Sequence, residues 1–501
     1  MKKSLYIAGL GTLMALASCD GLDQMPTVEN TANQVYQAKE NYLQTLGKCY
    51  ASFVTTGQTL NGQNDLASNQ GHDFFRGYIN LQEAPTDVMI STWIGGDKLD
   101  GLTYMRWDAQ DPWVADTYYH LYYTISLCNS FIRNAQSASV DVDDYKQEAR
   151  FLRALSYLYV LDLFHQGPFV DENSLIGKYV PEVYDAKQLF DYVESELKDL
   201  SSKLSADPGL YHANQASALA LLTRLYLNAE VYIGKKMYDE CIEAGEKIVA
   251  SDKYELNDDY FALFNADNNL RTNEIIFSFA IDATTTPTWG STTYLVCGQA
   301  QDKIKDTIGV ESSWNSFRAR PEFIDLFVAS DVRGKFDYSN GKEITNVEDQ
   351  SNGVMYKKWS NMTDEGKAAS ATGTYGVSTD MPVIRYAEVL LNLCEAIVRG
   401  GQGASRSAMD YYKWVSNRAQ VTNVNAVTLQ NVLDERGREL YLEGFRRTDL
   451  IRFGKFAGAT DYQWAYKGGV AAGKDVDAKF NVYPIPQVEL SANPNLKNQN
   501  Y

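Results

Sequence analysis

The chain has 501 residues, enough for one large or two moderate domains with a sizeable core. Its formal charge is −18, and loss of Lys2 and Lys3 with a leader takes it to −20. That balance speaks against nucleic acid, whose phosphates need clustered Lys and Arg, and does not penalise a neutral ligand. Aromatic residues are abundant, with 34 Tyr, 20 Phe and 8 Trp, more than a core alone requires.

In chain order, Lys2-Lys3 and an apolar run from Leu5 to Ala17 form an export signal. The run is too short for a membrane-spanning helix, which needs about 20 apolar residues. It ends in Leu16-Ala17-Ser18-Cys19, a lipobox, so cleavage before Cys19 and acylation of its sulfur are expected, with palmitate among the acyl chains. Asp20-Gly21-Leu22-Asp23 then reads as a polar tether. The expected division is 1–18 signal peptide, 19–251 an N-terminal part of helix pairs with an insertion at 58–112, and 252–501 a C-terminal part.

Helical spacing of apolar residues gives a first antiparallel pair at 31–56 and 114–135, separated by the insertion. The second pair is 144–165 and 186–204, where Asp185 and Gln188 have capping-box spacing. The third runs from Ala216 to Ala250 with its turn at Gly234-Lys235-Lys236, close to the 34-residue tetratricopeptide length. Its Ala229 and Gly245 leave room for close helix contact. A fourth pair is 384–399 and 405–420, followed by a helix over 428–448. Residues 58–112 and 252–383 have weak periodicity, with a short strand expected over Glu274–Ile281, and 454–501 reads as loop. Long irregular segments on a rigid scaffold are where binding residues concentrate. The fold class expected is therefore mostly α: tetratricopeptide-like helix pairs in a superhelical body, with a loop-rich ligand face containing small strands.

Little suggests catalysis. Cys49, Cys128, Cys241, Cys297 and Cys394 are widely spaced without a CxxC pair and read as core residues. His72, His120, His165 and His212 show neither HExxH nor nucleophile spacing. Gly468–Lys474 falls short of a phosphate loop because Asp475 replaces the Ser or Thr. Asp141, Asp143 and Asp144 lack the glycine and final Glu of a calcium loop; no cofactor is expected, and a structural calcium built from distant oxygens is left open. The charged run Glu435–Arg452 reads as structural ion pairs, Glu435 with Arg438 and Glu443 with Arg446 or Arg447.

Four stretches carry a family resemblance: EARFLRALSYLYVLDLF (148–164), RYAEVLLNLCEA (385–396), ERGRELYLEGFRRTDLIRFGKF (435–456) and YPIPQVELSANPNLKNQNY (483–501). In this order behind a lipobox, they resemble the SusD/RagB family of outer-membrane nutrient-binding lipoproteins. The resemblance implies a surface-exposed, lipid-anchored protein of the outer membrane. It implies capture of an oligosaccharide without catalysis and delivery to a SusC-like TonB-dependent transporter; a peptide-binding lid of the same architecture is the alternative. The segment FFRGYINLQEAPTDVMISTW (74–93) resembles the starch-binding branch. Trp93 fits an aromatic contact there, whereas Ser91 stands where that branch carries a second Trp and Gly96 where it carries Asn.

A sugar ring has an apolar C–H face and a hydroxyl rim, so its site needs aromatic faces and a few placed polar groups. Trp93, Trp289, Tyr294 and Trp314 are the aromatic candidates in irregular segments, with Arg76, Asp65 and Asn64 as hydroxyl partners. Trp107, Trp113 and Trp414 read as packing residues.

Overall fold

The structure is a computed structural model that describes residues 35–57, 66, 72–177, 179–371, 376–498 and 501. Cys19 and the whole leader lie outside the described residues.

The body is a stack of helices: α1 (Lys39–Ala51), α2 (Phe74–Glu83), α3 (Pro112–Gln136), α4 (Asp143–Phe164), α5 (Ala186–Lys203), α6 (Gln215–Leu227) and α7 (Tyr238–Val249). After an irregular region that includes α8 (Ser291–Gly298) come α9 (Tyr386–Val398), α10 (Ala408–Arg418), α11 (Leu429–Leu440) and α12 (Arg446–Arg452). Packing follows an unbroken order: α1 on α3, α3 on α4, α4 on α5, α5 on α6, α6 on α7, α7 on α9, α9 on α10. Each pair buries the apolar stripe its neighbour leaves open, as in repeat proteins.

The ends of these helices are set locally. Asp185 and Gln188 form the expected capping box at the start of α5, and Asn214/Ser217, Ser407/Asp410 and Thr428/Asn431 do the same for α6, α10 and α11. Gly234, in the left-handed region at φ 67°, ends the short helix Ala229–Ile233 that continues α6. Gly245 packs against Leu393 of α9, and a Cβ there would lie 2.8 Å from Leu393 Cδ2. Helix α4 is buried almost all round, with Leu152, Leu155, Tyr159 and Leu163 within the main core. The five cysteines among the described residues are free and buried.

Among the described residues, four two-stranded antiparallel ribbons are set into this frame. β1 (Met89–Ser91) pairs β5 (Phe317–Ala319), and β2 (Gln166–Pro168) pairs β3 (Val183–Asp185). β4 (Ile275–Phe279) pairs β8 (Met381–Arg385), and β6 (Phe336–Asp337) pairs β7 (Met355–Tyr356). The strand expected near Glu274–Ile281 is β4. One core cluster runs from Tyr42 to Leu496 and takes residues from both halves of the chain.

Three expectations differ from the structure. The tail over 454–501, expected as loop, carries a short helix at Gln487–Ala492. Residues 58–112 contain α2, whose ten residues are all buried, so it has no polar face to make a period. The helix expected over 428–448 is broken between α11 and α12, where Leu442 and Gly444 take positive φ. The break is held from a distance: Glu83 Oε1 accepts the backbone N–H of Gly444 (2.8 Å) and Phe445 (3.3 Å). A Cβ on Gly444 would lie 2.6 Å from the Tyr78 ring.

The charged run is structural, with partly different partners. Arg438 pairs with Glu435 at 2.6 Å, as read locally. Glu443 instead bonds Arg385 and Lys358, and Arg446 bonds Asp87. Arg447 donates to the Asn481 carbonyl and stacks on Tyr483. Arg333 bridges Asp331, Glu435 and Glu439, all fully buried.

Candidate functional site

A cleft of about 880 Å³ opens where α2, the end of the β1–β5 ribbon and the segment before α8 meet. Its walls include Trp93, Trp289 and Trp314, and Arg76, Asp97 and Glu348 also line it.

The ribbon places two of the rings. Beyond the Ser91–Phe317 register, Thr92 N–H donates to the Ser316 carbonyl (2.8 Å) and its hydroxyl to the Asn315 carbonyl (2.7 Å). Trp93 and Trp314 therefore leave the ribbon end on facing strands. Trp93 N–H donates to Ser91 Oγ (3.0 Å) and Trp314 N–H to the Cys297 carbonyl (2.9 Å). Ser91 itself points inward, its hydroxyl donating to the Ser316 carbonyl.

Asp73 places the third ring. It is the N-cap of α2, accepting Arg76 N–H at 3.0 Å. The same buried carboxyl accepts Ser291 N–H (2.9 Å), Ser291 Oγ–H (2.5 Å) and Thr288 Oγ1–H (3.2 Å), clamping both sides of Trp289. Burial raises its pKa above the usual carboxylate value, and these donors work against that rise. Gly290 is required here, since a Cβ would fall 2.0 Å from Asp73 Oδ1.

Arg76 is a strut under the cleft. Its guanidinium donates to Asp97 Oδ2 (2.7 Å) and to the Trp289 carbonyl (3.1 Å), and lies over the Tyr294 ring at 4.8 Å. With 4% of its side chain exposed, it shows the cleft little free charge. Asp97 is fixed in turn, because Trp113 Nε1–H donates to its carbonyl at 2.7 Å. Trp113 stacks on His72 (4.5 Å, 14°), whose Nε2 lies 3.1 Å from Asp116 Oδ2. Burial pushes the neighbouring His120 down to about 3, so it is neutral and part of the packing.

The three indoles form a row. Trp314 is central, 6.2 Å from Trp93 and 5.9 Å from Trp289, with ring planes turned by 27° and 31°. All three are half-buried, attached below and open above. The row offers flat apolar faces beside a few polar atoms, the exposed Glu348 among them.

Of the residues singled out by sequence, the structure brings Trp93, Trp289, Trp314 and Arg76 together in this cleft. Tyr294 is a correction: it is fully buried, its hydroxyl donates to Asn80 Oδ1 (2.7 Å), and Arg76 covers its ring. It supports the floor and cannot stack on a ligand. Asn64 and Asp65 lie outside the described residues. Trp289 adds a third ring to the cleft from a segment nearly 200 residues further along the sequence than Ser91. Sequence reasoning missed Asp73, Asp97 and Glu348. An acidic residue directly before an apolar helical start is an N-cap signal, so Asp73 was within reach.

Comparison with known proteins accords with this architecture. The SusD family profile matches residues 334–501. The starch-binding protein SusD of Bacteroides thetaiotaomicron is 31% identical, over 91% of this chain and 91% of its own length. The chain belongs to the SusD family. Its fold is also that of solved SusD-superfamily structures. Surface glycan-binding protein A from Bacteroides fluxus superposes with a TM-score of 0.74 at 21% identity, covering 93% of this chain and all of that one. The Bacteroides thetaiotaomicron protein of the same name, in complex with laminarihexaose, gives 0.72 at 19% identity, with 92% and 100% covered. In this SusD-family chain the profile match covers the late helices and tail, while the tryptophan row lies upstream of it.

Proposed function

We propose that the protein is a non-catalytic cell-surface lipoprotein that captures an oligosaccharide on Trp93, Trp314 and Trp289 and hands it to a SusC-like TonB-dependent outer-membrane transporter. The observation that carries this reading is the indole row in a cleft with few free charges. Indole faces cover the apolar C–H faces of sugar rings, and the rim bonds their hydroxyls. Two relatives named for starch and glycan binding support the ligand class.

Hydrolysis of a glycoside needs two free carboxyl groups across the bond. Among the described residues lining the cleft the carboxylates are Asp97, held by Arg76, and Glu348. Acylation at Cys19 would hold the protein at the outer membrane, since several acyl chains give stable anchoring where one does not. No helix among the described residues is long and apolar enough to cross a membrane.

The test is native affinity electrophoresis through gels containing starch or other glucans. Wild type should be retarded, and a folded Trp93→Ala/Trp314→Ala double variant should migrate as in an empty gel. Retention of the shift in that variant would remove the row from the site.

A further inference from the structure

The hairpin joining β2 to β3 ends in a bare apolar tip. Leu175 is 74% exposed and Ile176 82%, with Val180 at 50% and Tyr179 at 38%. Four large apolar side chains within six residues are unlike the scattered single apolar residues of an ordinary surface. The base of this hairpin is firm. Phe169 stacks flat on Tyr184 (4.1 Å, 2°), Phe169 N–H donates to the Glu182 carbonyl, and Asp171 Oδ1 accepts Asn173 N–H and Ser174 Oγ–H.

Its position relative to α3 decides what covers it. Arg133, near the C-terminal end of α3, donates to the Glu172 and Ser174 carbonyls, so the tip projects from that end. The chain enters the described structure at the same end. Tyr36 packs on Phe131, and Tyr42 donates to the Asn134 carbonyl, while α1 runs back toward Thr124 through Ser52. The stretch from Cys19 to Val35 reaches at most about 55 Å. The opposite end of α3 carries Trp113, which fixes Asp97 at the cleft, about 36 Å away along the helix axis.

We propose that the tip formed by Leu175, Ile176, Tyr179 and Val180 is a second membrane contact that dips into the lipid surface beside the acyl anchor. It rests on the acylation of Cys19 proposed above. Tip and tether leave one end of α3 together, so lipid held by one is presented to the other. Two contacts fix an orientation where a tether alone permits tumbling.

The experiment uses the full acylated chain in phosphatidylethanolamine–phosphatidylcholine vesicles with an environment-sensitive thiol dye at Ile176→Cys. The native cysteines of the folded body are buried, so position 176 would be the accessible thiol. Wild type labelled in parallel reports on the anchor, because dye uptake there means that Cys19 is not acylated. With wild type unlabelled, dye at 176 should emit at shorter wavelength and be quenched by doxyl-labelled phosphatidylcholine. A Val328→Cys control, exposed elsewhere, should stay in water. Dye at 176 that remains aqueous overturns the proposal while the anchor stands. A shift without doxyl quenching means that protein covers the tip, and it overturns the lipid assignment too.

Discussion

Asp73 is the residue through which the helical frame controls the cleft, although no ligand need touch it. Asp73→Ala removes the N-cap of α2, worth about 1 kcal/mol. It also leaves the buried Ser291 N–H without its acceptor, a loss of about 1–3 kcal/mol. Removing a carboxyl whose raised pKa records its own desolvation offsets part of this, so a net loss of roughly 2–3 kcal/mol is expected. Freed from its clamp, Trp289 no longer presents a fixed face. If half of one indole face, ~60 Å², stops covering a sugar, binding weakens by roughly 1.5 kcal/mol, or about tenfold in Kd. Asp73→Asn keeps an acceptor oxygen for both N–H groups and should fall between wild type and Asp73→Ala. Urea unfolding and calorimetric titration with an oligosaccharide should rank the three proteins in the same order. A folded Asp73→Ala protein that binds as tightly as wild type would refute the clamp.

Glu83 is held in the core with its carboxyl pushed up to about 8 by burial, against the N–H groups of Gly444 and Phe445 that favour its charge. A folded-state value above the unfolded one means that the native state binds the extra proton, so stability falls as pH rises from about 4.5 to about 8. Glu83→Gln retains an acceptor for the same N–H groups and should flatten this slope, which cannot exceed about 1.4 kcal/mol per pH unit for one group. Urea midpoints of both proteins at pH 5 and 8 check it; parallel slopes would show that Glu83 does not titrate there. Arg333→Met removes the cation shared by Asp331, Glu435 and Glu439, leaving them to Arg438, Arg385 and Arg418 with one buried charge uncompensated, and should cost on the order of 3–5 kcal/mol of stability, with little change in glycan affinity for the folded fraction.

Helices that retain a wet face were legible from period, so apolar spacing of three and four survives in α5 and α7. Helix α2 was not, because Arg76, Asn80, Gln82 and Glu83 are as buried as Phe75 and Ile79, and period needs contrast. Local ion-pair reasoning found Glu435–Arg438 but not Glu443–Arg385, whose partners lie 58 positions apart. The break after α11 had the same cause, since the acceptor that stabilises it belongs to α2. At the site, residue type pointed to Trp93, Trp289 and Trp314, and side-chain direction was hidden. Tyr294 and Trp289 share one polar, Thr-rich stretch, yet the start of α8 turns one ring inward and leaves the other at the rim.

On the proposed role, the way the rings are attached separates the frame from the ligand it would select. Each indole is held through main-chain atoms: Trp93 by its N–H on Ser91, Trp314 by its N–H on Cys297, Trp289 by its carbonyl under Arg76. None of these bonds involves an indole atom. A Trp at any of the three positions can therefore be exchanged for Tyr while the backbone row persists, at the loss of ring contacts worth about 0.5–1.5 kcal/mol each. The buried network around Arg333, Arg385 and Glu439 is not free to vary in this way, because removing one charge leaves the remaining ones unbalanced in the core. The same physics that fixes the charged core thus leaves the indole row open to change, and cargo preference can shift without rebuilding the helical stack.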